Sequence, residues 1–145
     1  MTKQLLFLLL LFSIKVNAQT AKGIDSLFLV KNYLLDVQTI INAKQLENQK
    51  IEKLDSFIRS ATKQKAIFGR NINSIVQNNQ EAEEMKTSLN FILQSMVVYK
   101  TDIKNNQPKQ ARTEILYLNK NIPILINKIY FYTKRFQNFR EEKTN

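Results

Sequence analysis

Three carboxylates fall within four positions at Glu81, Glu83 and Glu84. Paired carboxylates can hold a cation or divide acid and base duties between them. On a helix, adjacent residues point about 100° apart, so Glu83 and Glu84 cannot serve one site, whereas Glu81 and Glu84 share a face. A hydrolytic pair also needs a cleft, and the spacing of elements leaves no loop long enough to build one. The simpler expectation is a solvated face in the first half of a helix, where the dipole mildly favours acids. Ser56 and Ser60 lie near Lys53 and Lys63, a pairing that could in principle activate a hydroxyl. Such pairs arise from composition alone and are expected to face solvent. The chain has no His and no Cys. Their absence removes the usual zinc, copper and haem ligands, the commonest general base and the strongest nucleophile. Its two glycines, Gly23 and Gly69, stand too far apart for a phosphate-cradling loop. The sequence therefore points away from an enzyme, and no catalytic, cofactor-binding or metal-ligating residue is expected.

Charge carries the sharper signal. Between Lys109 and Arg140 the bases are Lys109, Arg112, Lys120, Lys128, Lys134, Arg135 and Arg140, against the single acid Glu114, a net of +6. Aromatic groups interleave with the last of them, in Tyr130-Phe131-Tyr132-Thr133-Lys134-Arg135-Phe136 and then Phe139-Arg140. Tyr132, Phe136 and Phe139 fall on a core stripe, but Tyr130 and Phe131 do not. Lys128, Tyr130, Phe131, Lys134, Arg135 and Arg140 are therefore the candidate residues for binding a partner or a polyanion. A basic aromatic helix can lie on an anionic membrane or envelope polymer, or hold phosphates while its rings stack on bases.

The elements that must position these groups read as helices. Only Gly23, Gly69, Pro108 and Pro123 punctuate the sequence, too few turn residues for a strand protein. The first helix is expected from about 24 to 68, capped by Asp25 or Ser26 and closed by a left-handed Gly69. Leu27, Val30, Leu34, Val37 and Ile41 form one stripe, and Ile51, Leu54, Ile58 and Ala61 form a second, out of phase with it. Between them Lys44 to Lys50 is polar except for Leu46. The helix must shift its buried face there, bend, or break to give a fourth helix. The second helix is expected over about 72–105, with Ala82, Met85, Leu89, Ile92, Met96, Tyr99 and Ile103 on one face. The third covers about 109–142, with Ala111, Ile115, Leu118, Ile122, Leu125, Ile129, Tyr132, Phe136 and Phe139 in unbroken phase across Pro123, which reads as a kink. Tyr117, Ile124 and Phe131 on one flank, and Ile126 and Tyr130 on the other, make this helix apolar over too wide an arc for one neighbour. The expected fold is all-α: an elongated, antiparallel, coiled-coil-like three-helix bundle.

The start of the chain has its own pattern. Met1-Thr2-Lys3-Gln4 precedes an apolar run from Leu5 to Ile14, and Val16-Asn17-Ala18 supplies the modest residues of a cleavage site. The run would span only about 15 Å as a helix, half a bilayer core. Residues 1–18 are thus expected to be a removable signal peptide and 19–145 a single helical domain. Of 22 Lys and Arg, Lys3 and Lys15 leave with the leader, so 20 face 12 Asp and Glu, a net of +8. Export permits disulfides, yet without cysteine the stability must come from packing or partners.

Together these readings suggest an exported, periplasmic or extracellular, non-enzymatic interaction protein that docks helix against helix on a partner or on itself. It would be a structural or assembly component of a bacterial envelope or of a secretion or transfer machine. A binder of anionic lipid, lipopolysaccharide or, less in keeping with export, nucleic acid is the alternative. A leader followed by long helices is also the layout of small periplasmic subunits of secretion and conjugation systems, but no motif assigns the chain to them.

Overall fold

Helix-breaking residues are so few that the chain is helical almost throughout. The computed structural model describes the backbone of residues 2–44 and 47–144 and the side chains of 22–44, 49–135, 137 and 138. Four helices follow one another: α1 (Thr2–Asn42), α2 (Glu47–Ile72), α3 (Asn79–Lys104) and α4 (Pro108–Thr144). No strand occurs among the described residues. The expected leader, Met1 to Ala18, lies outside the described side chains.

The three-helix expectation is corrected to four, because the polar stretch after Ile41 is a true interruption. α1 ends at Asn42 and the chain reverses. Tyr33 of α1 stacks at a tilt on Phe57 of α2, with ring centroids 5.4 Å apart. Nearer the turn, Lys50 Nζ donates to the carbonyl of Ile41 at 3.3 Å. A cation on the last carbonyls of α1 suits the negative end of its dipole. Between Ile41 and Ile51 the described residues offer only the small, partly buried Ala43 as an apolar group, so two shorter helices can each turn their own stripe inward.

Each helix packs on two neighbours, α1 on α2 and α4, and α3 on α2 and α4. Antiparallel order is visible in the side-chain pairs. Lys65 with Asn90 and Lys100 with Asp55 join α2 to α3, and Tyr132 and Lys128 reach Glu81 from α4 to α3. The enclosed side chains form one core. Leu27, Val30, Leu34, Val37 and Ile41 of α1 are buried, as are Ala82, Met85, Leu89, Ile92, Met96 and Tyr99 of α3 and Ala111, Leu118, Ile122, Leu125 and Ile129 of α4. Tyr33 knits three helices: its hydroxyl donates to the Phe57 carbonyl at 2.9 Å and points at Met96 Sδ at 3.9 Å. Burial pushes that hydroxyl's pKa up to about 12, with Ser60 pulling slightly the other way. Asp55 is held below the usual carboxylate range, first by its hydrogen bond from Lys100.

The end of α2 is also corrected. Gly69 is interior to the helix and not left-handed; no glycine has positive φ among the described residues. The three-four stripe of Leu54, Ile58 and Ala61 carries on through Phe68 and Ile72 to Ile75, all three of the latter buried, so the helix has apolar reason to continue. It closes instead on hydrogen bonds from the Ile75 and Val76 amides to the Ile72 carbonyl and from the Ser74 hydroxyl to the Asn71 carbonyl. A methyl group at Gly69 would meet nothing within 4 Å. Gly69→Ala is therefore expected to stabilise the protein by about 0.5–1 kcal/mol, the helix-propensity difference. Urea denaturation measures it; a loss of stability would restore the left-handed cap.

α3 begins later than the sequence suggests, after a turn that buries Ile75 and Val76. Asn78 is its N-cap, extended at φ −80°, ψ 108°, with its side chain accepting from the Glu81 amide. Asn106, at φ 54°, supplies the left-handed residue at the far end. The Asn106 amide donates to the Ile103 carbonyl and the Gln107 amide to that of Asp102, a Schellman closure. Pro108 then opens α4, a position where its missing N–H costs nothing. α4 runs unbroken past Pro123, in keeping with the continuous apolar phase.

Candidate functional site

The surface of α4 that the bundle leaves uncovered holds Tyr130, Phe131, Lys134 and Arg135, four of the groups singled out by charge and aromaticity. Its inner stripe is spent on the core. Two flanks orient it. Asn119 exchanges two amide hydrogen bonds with Asn42 of α1, at 2.8 and 2.9 Å. On the other side, Lys128 Nζ lies 3.6 Å from Glu81 and 4.0 Å from Glu84 of α3, and the Tyr132 hydroxyl donates to Glu81. That carboxylate, first through its hydrogen bond, together with burial, raises the Tyr132 pKa. Thr133, fully buried, satisfies its hydroxyl on the Ile129 and Tyr130 carbonyls.

This settles the place of the carboxylates. Glu81 and Glu84 share a face, as their spacing requires, and that face is the α3–α4 boundary, where they hold Lys128. Glu83 points elsewhere and pairs with Lys86. An exposed pair of this kind contributes under about 1 kcal/mol, so the arrangement orients α4 more than it stabilises it. Among the described residues no group of three or more carboxylates is placed to hold a metal ion.

The predicted binding residues divide accordingly. Lys128 is committed to the internal carboxylate pair. Tyr130 and Phe131 stand out from the bundle, 49% and 55% exposed. Lys134 and Arg135 are exposed as well. Lys134 Nζ sits 5.7 Å from the Tyr130 ring centroid, a weak cation–π contact, and Phe131 meets Tyr132 edge to face at 5.1 Å. The side chains of Phe136, Phe139 and Arg140 lie outside the described residues. The structure thus brings together Tyr130, Phe131, Lys134 and Arg135 on the outer half of α4, with Phe131 and Tyr130 on opposite sides of the outward direction.

The exposed apolar surface extends further than the sequence reading carried it. Ile124 and Leu116 of α4 are exposed, and so are Phe91, Val97 and Val98 of α3. The signal for Ile124 was its place off the main stripe. Phe91 and Val98 likewise fall off the Leu89 stripe, seven residues apart, a spacing that would have placed them on one line. An array of this kind can bind apolar and anionic groups, since it offers exposed rings beside cations. Among the described residues no helix is long and apolar enough to cross a membrane. No family model matches the chain, and no curated protein or solved structure matches it either.

Proposed function

We propose that the chain is an exported, non-enzymatic helical interaction protein, a structural or assembly component of a bacterial envelope or of a secretion or transfer machine. One observation carries the interaction reading: α4 packs on two neighbours and still leaves Leu116, Ile124, Tyr130 and Phe131 in solvent. Exposed apolar groups of that size on one helix mark a surface made to be covered. The lack of His and Cys throughout the sequence supports binding over catalysis. Export rests on the short apolar run and the Val16-Asn17-Ala18 junction.

Two measurements test this reading. The intact mass of protein recovered from the envelope fraction is expected to start at Gln19; a chain retaining Met1 to Ala18 would remove export by a cleavable leader. Light scattering together with a pull-down from native envelope is expected to find a complex. A monodisperse monomer that retains nothing would overturn the interaction role.

The alternative, a polyanion or membrane-surface binder, draws on the exposed Lys134 and Arg135 beside the rings of Tyr130 and Phe131. It expects salt-sensitive binding to anionic vesicles or lipopolysaccharide that vanishes when Lys128, Lys134, Arg135 and Arg140 are all replaced by Gln. Binding unchanged by those replacements would remove it.

A further inference from the structure

We propose that the outer face shared by α1 and α4 docks on an anionic lipid surface, an inference that rests on the membrane-surface reading above and names the face and the bases that serve it. Asn42 and Asn119, joined by two hydrogen bonds, mark where the two helices meet. At about 100° per residue, Phe28, Lys31 and Leu35 lie within about 40° of Asn42 on α1. Arg112, Leu116, Tyr130 and Lys134 lie within about 60° of Asn119 on α4, each rotated toward solvent. The two sets therefore share one side of the bundle. The helices run antiparallel, so the Asn42–Asn119 pair sets Lys31 level with Tyr130. At that level each helix lays a cation on a ring. Lys31 Nζ lies 4.9 Å from the Phe28 centroid, and Lys134 Nζ lies 5.7 Å from that of Tyr130.

The carboxylates lie elsewhere. Glu114, the one acid of α4 between Lys109 and Arg140, turns with Lys128 toward α3. Glu81 and Glu84 hold Lys128 in that same seam. On α1, Asp25 and Asp36 fall about 100–120° from Asn42, beyond the outermost line and toward Tyr33. Tyr33 meets Phe57, so that side belongs to α2. Lys31, Arg112 and Lys134 are left on the α1–α4 face, with the exposed Lys109 and Lys120 along the outermost line of α4. Lys128 and Arg135 lie on the α3 side and take no part.

The apolar groups among these bases select a bilayer over a soluble polyanion. Leu35, Leu116 and Tyr130 are exposed on the same face. A polymer of phosphates or sulfates needs the bases alone and leaves the leucines in water. An anionic bilayer takes both, with the cations at its phosphates, the leucines below them and the Tyr130 ring at headgroup level. From Arg112 to Lys134 the face runs about 33 Å along two adjacent helices, a length suited to lying on a surface. A second copy offering the same face would set cation against cation, which disfavours self-docking.

The test uses the protein in the form recovered from the envelope fraction. It has no Trp, so Tyr130→Trp supplies a single fluorescent reporter on the face. Val97→Trp, comparably exposed, supplies one on the opposite side. Val97 lies about 60° round α3 from Lys100, which meets Asp55 of α2. With phosphatidylglycerol vesicles, emission is expected to shift to the blue for Tyr130→Trp and to stay unchanged for Val97→Trp. Phosphatidylcholine vesicles should move neither. Replacing Lys31, Arg112 and Lys134 together by Gln is expected to weaken vesicle binding about tenfold or more. Replacing Arg59, Lys63 and Arg70 of α2, an equal loss of charge, should leave it within about twofold. Circular dichroism checks both triple variants, and if either loses helicity the two reporters carry the test. The face is overturned by equal weakening from both triple variants, by equal shifts from both reporters, or by heparin binding through Lys31, Arg112 and Lys134 with no binding of vesicles. Vesicle binding indifferent to those three bases sinks this face and leaves the membrane-surface reading standing. Failure to bind phosphatidylglycerol, lipopolysaccharide and heparin alike sinks both.

Discussion

Phe68→Ala is expected to lower the unfolding free energy by about 3–5 kcal/mol, the usual range for deleting a buried aromatic ring. Phe68 is 0% exposed and among the largest fully buried side chains. The loss has two parts: the ring's transfer out of water and the cavity left when its neighbours relax only in part. With Ile72, Ile75 and Val76 also buried at the α2–α3 turn, little slack is available to refill the space. A domain of this size has about 5–15 kcal/mol in hand, so the variant stands close to its limit. Urea denaturation followed by circular dichroism reads the change as a lower midpoint with little change in slope. Phe91→Ala is the matched control. The same ring is removed from a position 52% exposed, and the expected change is within about 0.5 kcal/mol. Similar losses from both would mean that Phe68 is not in the core, as a helix ending at 68 would allow.

That contrast shows what could be read before the fold was seen. The stripes of Leu27 to Ile41, Ala82 to Tyr99 and Ala111 to Ile129 were legible because burial imposes a 3.6-residue period on every enclosed helix, and each of these runs faces the core. The number of helices was not, because one polar stretch permits a bend as readily as a break. What decided it was tertiary: only two shorter helices let Tyr33 meet Phe57 and both stripes share one interior. Gly69 misled because a glycine after an apolar run usually ends a helix, while the continued stripe through Ile72 and Ile75 argued otherwise and prevailed. The left-handed cap went to Asn106, whose side chain tolerates that conformation, and no glycine marked it. At the surface, Tyr130 and Phe131 were legible as residues without a place on the core stripe. The commitment of Lys128 to Glu81 and Glu84 was not, since a pair across two helices leaves no trace in sequence spacing.

Asp102 offers the opposite sign of effect to Phe68. It sits in the last turn of α3, only 7% exposed, and its Oδ2 finds no hydrogen-bond partner among the described residues. A buried carboxylate oxygen without a partner forfeits its hydration and gets nothing back, at a cost of about 1–3 kcal/mol. Its position adds to this, because a negative charge at a helix C-terminus opposes the dipole by some tenths of a kcal/mol. The Schellman closure uses the main-chain carbonyl of Asp102 and survives any side-chain change. Asp102→Ala should therefore stabilise the bundle by about 1–3 kcal/mol, even though the residue is buried. Asp102→Asn, which drops the charge but keeps a polar group in the same shape, should recover only part of that gain. The order Ala above Asn above Asp in denaturation midpoint is the signature of an unpaired buried acid. The reverse order would mean that the carboxylate is bonded in the working protein, and the α3–α4 end of the bundle would then be where its partner must be sought.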